Sequence, residues 1–203
     1  FLLPALVSSA LMLGSCTEVE TTETVSEEVE QEQVIESVTY NLDKESSSLN
    51  WKGSEGEHEF HTGTIGFSEG SLTLKGDEVE SGSFTVDMST ISVTDDMPES
   101  KKGYLIGHLS DPDFFDIEKF PTTTVTLGEY TDGNLAVTLN VLGTDIESKA
   151  PVTITSDENG ASIEGDFSID FASLNMPGME EEEEEGESIS PVIEYTLKAV
   201  LKK

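Results

Sequence analysis

Apolar and polar side chains alternate at every second position through much of the chain. Phe84, Val86 and Met88 are interleaved with Thr85, Asp87 and Ser89, and Leu135, Val137, Leu139 and Val141 make one long apolar row. Ile163, Phe167, Ile169 and Phe171 stand against Glu164, Asp166, Ser168 and Asp170; Ile193, Tyr195, Leu197, Ala199 and Leu201 stand against Glu194, Thr196 and Lys198. Successive side chains of a β-strand point to opposite faces, so each run predicts a strand with one apolar face. Shorter runs at 38–43 (with Trp51 in the next, 48–53), 58–67, 71–75, 125–127 and 152–154 read the same way. The clusters Asp132, Gly133, Asn134 and Asn159, Gly160 are tight-turn signals between them. No helical run long enough for a βαβ unit interrupts the series. The pattern therefore predicts an all-β fold, an antiparallel sheet closed into a barrel or folded into a sandwich.

One stretch breaks the alternation. In His108 to Pro121, HLSDPDFFDIEKFP, the apolar Leu109, Phe114, Phe115, Ile117 and Phe120 fall at uneven spacing among Asp111, Asp113, Asp116 and Glu118. Such spacing predicts a turn or short helix near 108–118. Its phenylalanines either cap a filled β core or form the mouth of a binding cavity, and the pattern leaves both open. Ahead of it, the composition of Thr94 to Gly103, with Asp95, Asp96 and Pro98, reads as a loop.

Both ends differ from the middle, which limits the 203 residues to one globular domain, 38–203. Phe1 to Leu13 is almost wholly apolar but shorter than the roughly twenty residues that cross a bilayer. It reads as the apolar region of a signal peptide, 1–15, without a charged leader segment. Leu13, Gly14, Ser15, Cys16 resembles a bacterial lipobox, which makes Cys16, the only cysteine, the expected lipidation site. Residues 16–37 are rich in Glu, Thr, Val and Ser, a composition that cannot bury enough apolar surface to order itself, and predict a flexible acidic tether. Together these place the protein at the bacterial cell envelope, lipid-anchored to a membrane and periplasmic or surface-exposed.

Charge removes one class of partner. The net charge is -32, from 42 acidic against 10 basic side chains, all of them lysine. A nucleic-acid partner, which needs clustered cations, is not expected. The sequence does not set the oligomeric state.

Candidate chemistry is sparse. Gly66, Phe67, Ser68, Glu69, Gly70 matches the GxSxG nucleophile pattern, but the alternating Ser71 to Lys75 follows where a hydrolase needs a helix. The match reads as a hairpin turn, and a serine hydrolase through Ser68 is the weaker reading. His58 and His61 are three apart on a strand, so they point to opposite faces and cannot converge on one zinc; a solvent-facing His58 and a partly packed His61 follow. Asp111, Asp113 and Asp116 imitate a calcium loop whose ligand positions are taken by phenylalanine, and the acidic loop 176–188, with six consecutive glutamates, lacks ligand spacing. No metal, no cofactor and no catalytic residue are expected.

The central motif carries a resemblance. HLSDPDFFDIEKFP resembles the signature of the YceI-like polyisoprenoid-binding proteins, and Trp51-Lys52-Gly53, His61-Thr62-Gly63, the segment GSFTVDMSTI from Gly82, Leu142-Gly143 and Pro151-Val152 follow that family in the same order. The similarity spans about 38–203, with the tether, the polyglutamate insertion and a shorter loop before His108 as departures. It implies a lipocalin-like closed antiparallel barrel of about eight strands whose lumen takes a long isoprenoid chain.

On that reading the protein is a non-catalytic carrier or sequestering protein, and a neutral, quinone-like lipid suits its charge better than a pyrophosphate. The lumen-facing positions would be Trp51; Phe84, Val86 and Met88; Leu135, Val137 and Leu139; Phe167 and Ile169; Tyr195 and Leu197; with His108, Phe114 and Phe115 at the mouth. The rival reading is a surface lipoprotein whose same faces interdigitate as a solid core and which acts through protein contacts.

Overall fold

The computed structural model describes residues 35–56, 59–179 and 189–203, all within the compact unit Ile35–Lys203. The expectations for the leader, Cys16, the tether before Ile35, His58 and the polyglutamate run lie outside the described residues; at the tether's end, Ser37 is already the first residue of a strand.

The elements are β1 (Ser37–Leu42), β2 (Ser48–Glu55), β3 (Glu59–Lys75), β4 (Glu78–Val93), α1 (Glu99–Ser110), β5 (Thr122–Thr131), β6 (Asn134–Val141), β7 (Thr144–Pro151), β8 (Thr153–Ser156), β9 (Gly160–Asp170) and β10 (Val192–Lys202). Hydrogen-bonded neighbours run β7-β6-β5-β4-β3-β1-β10-β9-β8. β2 also pairs with both β3 and β10, so β1 and β2 share one place in the wall, end to end. β7 pairs with β6 and, one residue further on, β8 pairs with β9, which closes the wall on itself. Ten strands thus occupy eight places around a closed antiparallel barrel, the lipocalin-like architecture expected.

β3 corrects one expectation. Gly66 to Gly70 is not a hairpin turn, because the strand runs through it without a break. Phe67 pairs with Val86 and Glu69 with Thr85, so two residues of β3 oppose one step of β4, a bulge. The extra residue switches which parity faces inward: Gly63 and Ile65 are buried before it, Leu72 and Leu74 after it. A turn and a bulge both favour glycine, and only the register tells them apart. Ser68 therefore sits on a strand, its hydroxyl donating to the Thr85 carbonyl at 3.3 Å, and the strand-turn-helix setting of a hydrolase nucleophile is not present at this motif.

The helix also lies earlier than 108–118. α1 starts at Glu99, inside the stretch read as a loop, and ends at Ser110. Its sequence hides it: Gly103 and Gly107 are poor helix formers, and none of its side chains is buried. Pro112 stops it, since the residue before a proline is pushed to extended backbone, as Asp111 is at φ -70°, ψ 163°. The phenylalanine motif then folds as two tight turns, with the Phe114 N–H donating to Asp111 O at 3.0 Å and Lys119 to Asp116 O at 3.0 Å, tied back to the end of α1 by Phe115 N–H to Leu109 O at 3.2 Å and Ile117 N–H to Ser110 O at 3.1 Å.

Two groups of buried side chains line the inside of the wall. One, with Trp51, Met88, Phe114, Phe115 and Phe171, lies under α1 and the turns. The other, with Leu72, Leu74, Leu135, Ala199 and Leu201, fills the far end. Phe67, Phe167 and Leu197 border both, half-way along the axis.

Candidate functional site

Between these two groups the barrel is hollow. A cavity of about 820 Å³ runs from the α1 end to the far group, within the roughly 300–1,000 Å³ of small-molecule sites. Each strand contributes its inward row for the reason legible in its sequence, alternate side chains on one face. All fourteen predicted positions border this space: Trp51, Phe84, Val86, Met88, Leu135, Val137, Leu139, Phe167, Ile169, Tyr195 and Leu197 on the wall, His108 on α1, and Phe114 and Phe115 in the turns after it.

Whether such rows fill a core or face a void can be read from burial. Val137, Leu139, Phe167, Ile193, Tyr195 and Leu197 point inward yet are only half-buried. In a filled core they would be as covered as Leu72 (0% exposed) or Ile163 (1%). The remaining accessible surface faces the lumen.

The exposed lining residues Glu59, Ser100, Lys101 and Tyr104 all belong to the α1 end, which makes that end the mouth among the described residues. α1 lies across it, its Tyr104 77% exposed and stacked on His108 at 6.2 Å. The His108 ring meets Phe114 at 4.5 Å, and Phe115 stands edge-on to Phe171 at 6.3 Å. Phe114 is wedged against Gly178, where a Cβ would come within 2.1 Å of its ring, so the returning segment must carry glycine there. On the wall, the Trp51 indole lies across Gly63, whose Cβ would fall 2.4 Å from it.

Polar groups inside are few. Thr123 donates to the Met88 sulfur at 3.5 Å. Trp51 Nε1 is buried without an acceptor among the described residues, and Tyr195, its register partner on β10, stacks on Phe167 at 5.8 Å. Burial pushes the Tyr195 phenol well above its ordinary value, since a phenolate there would lack water.

At the mouth the partly packed His61 expected from the sequence meets a partner that the sequence did not signal, Asp95. His61 Nδ1 is 2.7 Å from Asp95 Oδ2, and Asp95 Oδ1 also accepts from the Thr62 N–H at 2.8 Å and from the Thr62 hydroxyl. Burial alone would raise the Asp95 carboxyl, but the hydrogen bonds from Thr62 and His61 outweigh it and hold it below the usual carboxylate range. His61 and Asp95 are 34 residues apart, so no local spacing signals the pair. His61 itself was legible by parity, as the partly packed member of the inward row of Gly63, Ile65 and Phe67.

A family model described as the YceI-like domain matches residues 40–201. The chain belongs to that family. Two solved structures share the YceI-like barrel. A polyisoprenoid binding domain from Saccharophagus degradans, implicated in plant cell wall breakdown, is 16% identical with a TM-score of 0.59, over 80% of this chain and 97% of that one. BcnA of Burkholderia cenocepacia is also 16% identical, with a TM-score of 0.64, over 78% of this chain and 98% of its own. At such identity the likeness is one of fold. No match was found among functionally curated proteins.

Proposed function

We propose that this YceI-like barrel binds a long-chain isoprenoid or quinone-like lipid in its lumen, as a non-catalytic carrier or sequestering protein of the cell envelope. The observation that carries the reading is the open apolar cavity, whose inward side chains are left half-bare by the protein itself. Each Å² of prenyl chain taken out of water there gains about 25 cal/mol, so affinity grows with chain length and needs no polar machinery. The polyisoprenoid-binding description of the Saccharophagus degradans domain, which has the same fold, supports the ligand class. The net charge of -32 favours a neutral lipid over a bare pyrophosphate. Acylation at Cys16 would hold the barrel beside the membrane from which such a lipid is taken.

The same void weighs against the solid-core alternative. Native mass spectrometry of the purified protein, before and after extraction with organic solvent, tests the proposal without assuming a ligand. A removable bound mass in the range of a prenyl lipid is expected. Protein of the bare chain mass that also takes up no added prenol or quinone would end the lipid reading.

A further inference from the structure

His61 and Asp95 are more than a rim contact. A carboxylate can only accept, so the 2.7 Å contact to Asp95 Oδ2 places a proton on His61 Nδ1 and fixes the ring plane. Asp95 is itself held by the Thr62 N–H and hydroxyl, which leaves the imidazole little freedom. The other nitrogen, Nε2, stands 3.8 Å from Glu55 Oε2, too far for a direct hydrogen bond. Both His61 and Glu55 line the cavity at its mouth, with Ser54 and Glu59 beside them.

An oxygen lodged beside these two groups must satisfy Glu55, which as a carboxylate only accepts. With a neutral imidazole Nε2 is also an acceptor, and with a protonated one it is a donor. A hydroxyl has one proton to donate: beside a protonated ring it gives that proton to Glu55 and accepts from Nε2–H, and beside a neutral ring it donates to Glu55 alone. An ether or carbonyl oxygen has nothing to give Glu55, and a phosphate adds negative charge beside Glu55 and Glu59, which outnumber Lys101, the one lysine lining the described cavity, on a chain of net charge -32. The rest of the described lumen wall carries no charged side chain inside the mouth, its polar groups being Thr123, the Trp51 N–H and the Tyr195 hydroxyl among apolar rows.

We infer that His61, held by Asp95, and Glu55 form a head-group site at the lumen mouth that takes the terminal hydroxyl of a long-chain lipid, in preference to a capped or phosphorylated head. This rests on the lumen binding such lipids at all, and it orients them with the chain inward and the alcohol at the rim.

The test compares a long-chain prenol, its methyl ether and its monophosphate, titrated into the full chain and followed by Trp51 fluorescence. Wild type should bind the prenol at least about tenfold more tightly than the ether, the scale of one well-placed hydrogen bond to a charged or ionisable group. His61→Phe and Glu55→Gln should each narrow the gap between prenol and ether. The wild-type comparison needs no variant, so it decides even if His61→Phe does not fold. Equal binding of prenol and ether, or tightest binding of the phosphate, would overturn the head-group site and leave the lipid reading standing. Binding of none of the three would overturn the lipid reading, and the site with it.

Discussion

An open lumen predicts that two leucines on the same barrel respond very differently to the same truncation. Leu72 on β3 is 0% exposed, belongs to the far-end group and does not border the cavity. Leu197 on β10 faces inward, borders the cavity and is half-buried. Leucine to alanine removes three carbons, worth about 2.4 kcal/mol of transfer energy at about 0.8 kcal/mol each when fully covered. Leu72→Ala also leaves a new hole in close-packed surroundings, which brings the expected cost to about 4 kcal/mol, inside the measured range of about 2.7 to 5.0 for such changes. At Leu197 about half the transfer energy is at stake and the void is already there, so Leu197→Ala should cost about 1 kcal/mol. Urea denaturation followed by Trp51 fluorescence reads the difference. With a slope of about 2 kcal/mol/M the two midpoints separate by about 1.5 M. Saturating prenol should stabilise wild type and Leu72→Ala alike, by about 2.7 kcal/mol at a hundred times the dissociation constant, and Leu197→Ala by less. Equal costs for the two truncations, close to 4 kcal/mol each, would mean that β10 packs into a filled core and that the reasoning from half-buried inward side chains is wrong.

Two further expectations concern the rim and the anchor. The Asp95 carboxyl is held below its ordinary value of 3.8 by its hydrogen bonds, so its contribution to stability is present above that value and is lost as pH falls through the folded value; the stability difference between wild type and Asp95→Asn should be constant near neutrality and vanish on acidification, and a difference that grows towards low pH would refute this sign. If Cys16 is acylated, the full precursor expressed in a bacterium should incorporate an alkyne-labelled fatty acid and sediment with membranes while Cys16→Ala does neither, and equal labelling of both would end the lipoprotein reading.

The inward rows were legible because antiparallel strands with one covered face write their geometry as simple alternation. Tyr195 and Leu197, or Phe167 and Ile169, needed no tertiary information. What alternation could not convey was anything set by a partner strand. Gly66 to Gly70 reads as a turn until Phe67 and Glu69 are seen against consecutive residues of β4. β7 went unseen because only Ile146 and Ala150 are buried among its polar residues, too few to establish a period. The helix was misplaced because α1 only half-buries Leu105, Ile106 and Leu109 and is interrupted by Gly103 and Gly107, so its apolar period is weak. The His61–Asp95 pair joins a strand to a loop across 34 residues, a distance at which a single sequence holds no spacing signal.

The shared place of β1 and β2, between β3 and β10, has a consequence for how the chain becomes folded. β2 finds one neighbour nearby in β3 but its other in β10, as Trp51 opposite Tyr195 illustrates across almost the whole length of the domain. Contacts between such distant residues form late and slowly, because the intervening chain must first be brought together. A growing or translocating chain cannot close its wall until the eleven residues of β10, Val192–Lys202, have emerged. Until then β1, β2 and β9 present unpaired backbone along one side, and a chain cut short before Val192 keeps that raw border permanently, a template for sticking to its own kind. Removal of β10 should therefore convert a highly charged, self-repelling protein into one that aggregates by backbone pairing.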